Sequence, residues 1–177
     1  MDKITLHPKA PDLLFKYYRA LRLIFNDVLG HLEIDYLSMA LLNEKNQLCF
    51  FSSRPSIEQN LIEHQLWQQD PCYQFQDSSP IIWNEAQWDI RLNKFKLVIP
   101  QLGYALSIQD QFQNHQVCYS FGLETQDPFV HTHLRTHPQI LKSIGKFCLS
   151  KILEIVKNDL QEKTPPYLKV VVENEFC

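Results

Sequence analysis

The chain has 177 residues, 45% apolar and 21% charged, with a net charge of −3. That length is enough to bury about two-thirds of the unfolded surface in one core, and the composition excludes the disordered class. The slight acidity leaves no basic stripe for DNA or RNA, and four glycines are too few for a GxGxxG or P-loop phosphate cradle.

In chain order, Asp12 precedes LLFKYYRALRLIFNDVLG, where Leu14, Tyr17, Tyr18, Leu21, Ile24, Phe25 and Val28 recur at helical spacing up to Gly30. The pattern predicts one helix with a left-handed glycine cap. DYLSMALLN, EKNQ and LCFFSS predict two strands and their turn. Ser56 and Gln59 have the spacing of a capping box, opening a helix that carries Ile57, Leu61, Leu66 and Trp67 up to Asp70-Pro71. Proline disfavours helical geometry in the residue before it, so Asp70 is expected in an extended corner.

After the apolar exit Ile81-Ile82-Trp83, residues 84–95 predict a short helix capped by Asn84. GYALSIQ and QVCYSFGLE flank DQFQNH as a second strand pair, and a long helix is expected over about 134–162. The expected organisation is one domain, 1–165, followed by a strand-like tail, 166–177. The order of elements predicts an α+β fold: one antiparallel sheet with helices on both faces, a PAS- or GAF-like sandwich.

Five cysteines, Cys49, Cys72, Cys118, Cys148 and Cys177, form no CxxC pair, so no zinc centre, dithiol or other cofactor is expected. Cys49, Cys118 and Cys148 lie in apolar runs and are expected to be buried. Neither a signal-peptide core nor a membrane-length apolar run occurs. The expectation is a reduced cytoplasmic protein, with signal-free export as the alternative. His131, His133 and His137 in VHTHLRTHP resemble metal ligands in spacing only; the segment is expected to be a polar loop entering a helix. No G-x-S-x-G elbow is present, and Cys118 and His115, three apart on a strand, face opposite ways. No enzymatic site is expected.

Several stretches resemble the N-terminal autoinducer-binding domain of bacterial LuxR-type quorum-sensing regulators. They are CFFSSRP, QQDP, SSPIIW and LGYALSIQDQFQNHQVCYSFGLE. The resemblance covers about residues 11–160 and rests most on Asp70-Pro71 and Pro80-x-x-Trp83. It implies a pocket between sheet and helices, with Asp70 accepting a hydrogen bond from the ligand's amide N–H and Trp83 packing near the ligand ring. Thirteen and nine residues before that Asp, the family commonly places a Trp and a Tyr that hydrogen-bond the ligand's carbonyls. Ile57 and Leu61 stand there instead, which disfavours a standard acyl-homoserine lactone. Losing two donors in an apolar pocket costs on the order of 1–3 kcal/mol each.

The expected ligand-binding set is Asp70, Trp83, Trp67, Ile57, Leu61 and Tyr36. The family continues into a helix-turn-helix domain and this sequence does not, so the expectation is a sensor-like domain without its own DNA-binding output. It would bind a small, mostly apolar, acyl-lactone-like ligand and form a homodimer or pair with a protein partner. The alternative is a protein-interaction module, an antagonist or exported effector, whose pocket is filled by side chains.

Overall fold

The computed structural model describes residues 3–75, 79–98 and 100–160, and all of their side chains except that of Asn158. A six-stranded sheet in the order β1-β3-β2-β6-β5-β4 forms the centre. Its strands are β1 (Thr5–Leu6), β2 (Ile34–Leu42), β3 (Gln47–Ser52), β4 (Ile81–Ile82), β5 (Tyr104–Phe112) and β6 (His115–Leu123). All neighbours are antiparallel except the two-residue edge pair β1–β3, which is parallel and was not expected.

Alternation along the strands sorts side chains onto two covered faces. Leu37, Met39, Leu41, Phe51, Ile108, Val117, Tyr119 and Phe121 pack with α2 (Tyr18–Asn26) and α6 (Gln139–Leu160). Ala40, Leu42, Leu48, Phe50 and Cys118 face α1 (Ala10–Lys16) and α3 (Pro55–Glu63) through Leu14 and Leu61. Burial on both sides explains why the strands read as continuous apolar runs. The expected layered architecture, a sheet with helices on both faces, is the one observed.

Several boundaries differ from expectation. The first helix is two, α1 and α2, broken at Tyr17 (φ −105°, ψ 11°), while Gly30 does take the left-handed conformation (φ 88°). The Ser56–Gln59 capping box does not form. Pro55 already occupies the first turn of α3, so Ser56 lies inside the helix, and Gln59 Nε2 donates to Glu63 Oε1 instead. α3 stops at Glu63 and Gln65 turns left-handed (φ 55°), so the helix does not reach Asp70.

Asn84 is no cap; its Nδ2 donates to the Gly103 carbonyl. The short helix α4 (Ile90–Asn93) is capped by Asp89 and runs into a π-helical turn, Lys94–Val98. β5 and β6 extend through most of the expected connection, pairing as far as Phe112 and His115. The expected long helix is interrupted at His137-Pro138 into α5 (Pro128–Thr136) and α6. Residues 131–136 are therefore helical and not a loop, with Asp127 as the cap. The tail expected over 166–177 lies outside the described residues.

The described cysteines Cys49, Cys72, Cys118 and Cys148 are buried free thiols. Burial pushes those of Cys49 and Cys148 up to about 12. Among the described residues no helix is long and apolar enough to cross a membrane.

Candidate functional site

The face of the sheet toward α3 is not uniformly apolar. Ser52 of β3, Ser38 of β2, Ser120 of β6 and Ser107 of β5 fall on consecutive pairing partners. Together they form a row of hydroxyls across four strands, each at most 2% exposed. Ser107 and Ser120 share a hydrogen bond of 2.7 Å. The indole Nε1 of Trp83, set by pairing of its backbone N–H with Ala105 O just after β4, donates to Ser107 Oγ at 2.8 Å.

Asp70 stands over this face. Pro71 holds it extended (φ −79°, ψ 115°) as expected, and the residue has no exposure. Its two oxygens do different work. Oδ1 accepts from Cys72 N–H at 2.9 Å and caps the 3-10 turn Pro71–Tyr73. Gln109 Nε2 of β5 ties that turn to the sheet by donating to the Cys72 carbonyl at 3.2 Å. Oδ2 accepts from Lys96 Nζ at 2.6 Å, and Lys96 is likewise fully buried. The acid therefore both caps a turn and faces the interior, because a carboxylate has acceptor sites for two donors.

Lys96 sits in an aromatic enclosure. Its Nζ is 3.8 Å from the ring centroid of Trp83, 4.7 Å from Trp88 and 5.4 Å from Tyr73, all within cation–π range. Cys72 Sγ is 3.6 Å away. Burial pulls the lysine's pKa down and the Asp70 carboxylate pulls it up; the attraction wins, and the group is held above its ordinary value. It is an ammonium paired with a carboxylate in a dry site.

A second buried acid lies beyond Trp83. Tyr36 packs edge-on against Trp83, centroids 5.9 Å apart, and its Oη donates to Glu58 Oε1 at 2.6 Å. Burial raises the Glu58 carboxyl, an effect moderated by Ser52, Tyr36 and Ser38. Its Oε2 has no hydrogen-bonding partner of acceptable geometry, and neither does Trp88 Nε1.

Of the six residues expected to bind ligand, Asp70 and Trp83 meet around Lys96. Tyr36 and Ile57 share one apolar cluster with Trp83, and Leu61 lies in another. Trp67 is set apart: with Tyr73 it lines a surface groove of about 320 Å³. Tyr73 is common to groove and cage. Ile57 and Leu61 are 3% and 0% exposed and lie in apolar packing.

Three participants were not foreseen: Lys96, Glu58 and the serine row. A signal for the first existed, since Trp88, Leu92 and Lys96 recur every four residues, but a lysine on such a spacing reads as the solvent side. The histidine segment does not converge. His131 stacks on Tyr104 with its Nε2 2.8 Å from the Thr125 carbonyl, while His133 and His137 stack on each other. Among the described residues no group of three or more His, Cys, Asp or Glu side chains is placed to hold a metal ion.

No protein-family profile and no curated protein matches the chain. Solved structures do. The N-acylhomoserine lactone dependent LuxR family transcription factor CepR2 from Burkholderia cenocepacia is similar with a TM-score of 0.59. Its identity is 11%, and the match covers 85% of this chain and 99% of that one. Escherichia coli SdiA is similar at a TM-score of 0.46 and 11% identity, over 86% and 68% of the two chains. SdiA in complex with octanoyl-rac-glycerol follows at 0.44 and 14%, over 84% and 68%. At fold level, on the first of these, the chain has the architecture of a LuxR-type autoinducer-binding domain over most of its length.

Proposed function

We propose that this chain is a non-enzymatic sensor domain that takes a small ligand in its interior through Asp70. It reports by contact with a protein partner, a second copy of itself or another chain. The observation that carries the reading is the Asp70 carboxylate, fully buried, aimed inward and meeting a nitrogen donor at 2.6 Å. That is the chemistry an acceptor for a ligand N–H requires. Similarity in fold to a regulator described as N-acylhomoserine lactone dependent supports the same class. Ile57, Leu61, Trp83 and Tyr36 furnish an apolar wall, with Trp67 at the groove beside it, and fit a ligand with an apolar body. The free thiols among the described cysteines support a reducing, cytoplasmic setting.

A second reading, a protein-interaction module with a filled site, is favoured by one observation: Lys96 already occupies the position a ligand's donor would take, with no exposure. The two readings part on whether any small molecule enters. Native mass spectrometry of the purified protein and thermal shifts with acyl-homoserine lactones, fatty acids and amphiphilic amines are the test. The sensor reading expects a stabilising ligand whose effect disappears in Asp70→Asn. A ligand at a hundredfold excess over its Kd adds about 2.7 kcal/mol, readily seen as a melting shift. If nothing co-purifies or stabilises while a protein partner does, the domain is an interaction module.

A further inference from the structure

The enclosure around Lys96 has the composition of a receptor for a free ammonium ion. A carboxylate at 2.6 Å and ring faces of Trp83, Trp88 and Tyr73 at 3.8, 4.7 and 5.4 Å surround one nitrogen. A neutral amide N–H would satisfy Asp70 but would gain little from three π-faces, whose attraction is for a full positive charge. The chemistry of the cage therefore selects a cation over the neutral amide of an acylated lactone.

We propose that this cage is an amine-recognition site in which Lys96 is an exchangeable occupant, and that the external ligand is a small primary amine with an apolar tail. The inference rests on the sensor reading and names its ligand class.

Two features support exchange. Lys96 is carried on a five-residue π-helical turn, Lys94–Val98, behind a four-residue helix, and its neighbours Ile90 and Val98 are 87% and 64% exposed. Leu92 is buried, and Phe95, stacked on His64, and Leu97 pack against the apolar clusters beside Lys96, so the freedom to move lies in the π-turn itself. A π-turn rewinds to α-helix by a shift of one residue, about 100° of rotation, enough to take the lysine off the inward face. Second, Tyr73 is a wall both of the cage and of the surface groove of about 320 Å³ beside Trp67, which places an opening next to the site.

The test uses the wild-type chain and Lys96→Ala, titrated by calorimetry and thermal shift with n-butylammonium, n-hexylammonium and the neutral 1-butanol and 1-hexanol. Removal of the tethered competitor predicts that Lys96→Ala binds n-butylammonium at least tenfold more tightly than wild type. The alcohols are expected to be ineffective. Wild type is expected to bind n-hexylammonium, and Asp70→Asn to lose it.

If the alcohols bind Lys96→Ala as well as the amines do, the site is a mere void and the proposal falls. If acyl lactones or fatty acids stabilise wild type and amines do not, the amine assignment fails and the sensor reading stands. If amines bind Lys96→Ala and no small molecule shifts wild type, the lysine is a permanent plug and both fail. Should Lys96→Ala not accumulate as folded protein, the wild-type titration and its loss in Asp70→Asn decide the matter alone.

Discussion

Replacing Lys96 with methionine removes the ammonium and keeps most of the side-chain volume. It leaves Asp70 Oδ2 fully buried with no cation, its partner Oδ1 still held by Cys72 N–H. Breaking one side of a buried ion pair costs about 3–5 kcal/mol, because the remaining charge is uncompensated. The loss of cation–π contacts with Trp83 and Trp88 is contained in that figure. For a chain of this length each kcal/mol lowers Tm by about 2–4 °C, so Lys96→Met is expected to melt roughly 6–20 °C below wild type.

Asp70→Asn keeps an oxygen for Cys72 and carries no charge. The double variant Asp70→Asn/Lys96→Met is therefore expected to recover most of the loss, to within about 1–2 kcal/mol of wild type. Urea denaturation of the four proteins in a double-mutant cycle reads the coupling directly. A single-variant cost below about 1 kcal/mol, or a strictly additive double variant, would refute the claim that the two groups form one dry, paired unit.

Other residues give independent tests. Burial raises the Glu58 acid, so the folded protein holds that proton more tightly than the unfolded chain. Its contribution is complete below the ordinary carboxyl value and is lost as pH rises through the raised one; Glu58→Gln is expected to flatten the fall of Tm with pH over that window. A Cβ added to Gly145 of α6 would lie 2.5 Å from the Tyr119 ring. Gly145→Ala is therefore expected to cost about 1–3 kcal/mol by overpacking, a sign opposite to the usual helical gain for alanine, measurable by chemical denaturation. Trp83→Phe loses the 2.8 Å bond to Ser107 Oγ and weakens the best cation–π face; since Ser107 keeps Ser120, about 1–2 kcal/mol is expected.

The strands were legible because burial on both faces makes each a continuous apolar run, and Asp70 because proline constrains the residue before it. What was hidden depended on register and on pairing across the chain. Four serines whose paired neighbours are 13 to 82 residues apart become one row only when β3, β2, β6 and β5 align. Lys96 was not singled out because nothing local reveals that Asp70, 26 positions earlier, lies at the same spot. The unformed Ser56 box has a local cause, since Pro55 begins α3 one residue ahead of its apparent cap, whereas the helical periodicity runs through Tyr17 without marking the break there.

The most direct measurement on the buried cation is the ¹H–¹⁵N spectrum of the lysine ammonium groups at neutral pH. A proton-bearing nitrogen sealed between Asp70 and three aromatic faces should give a slowly exchanging resonance, shifted upfield by ring currents and absent in Lys96→Met. If every lysine ammonium exchanges as fast as a solvent-exposed one, Lys96 does not occupy the interior, and the cage around Asp70 does not exist in solution.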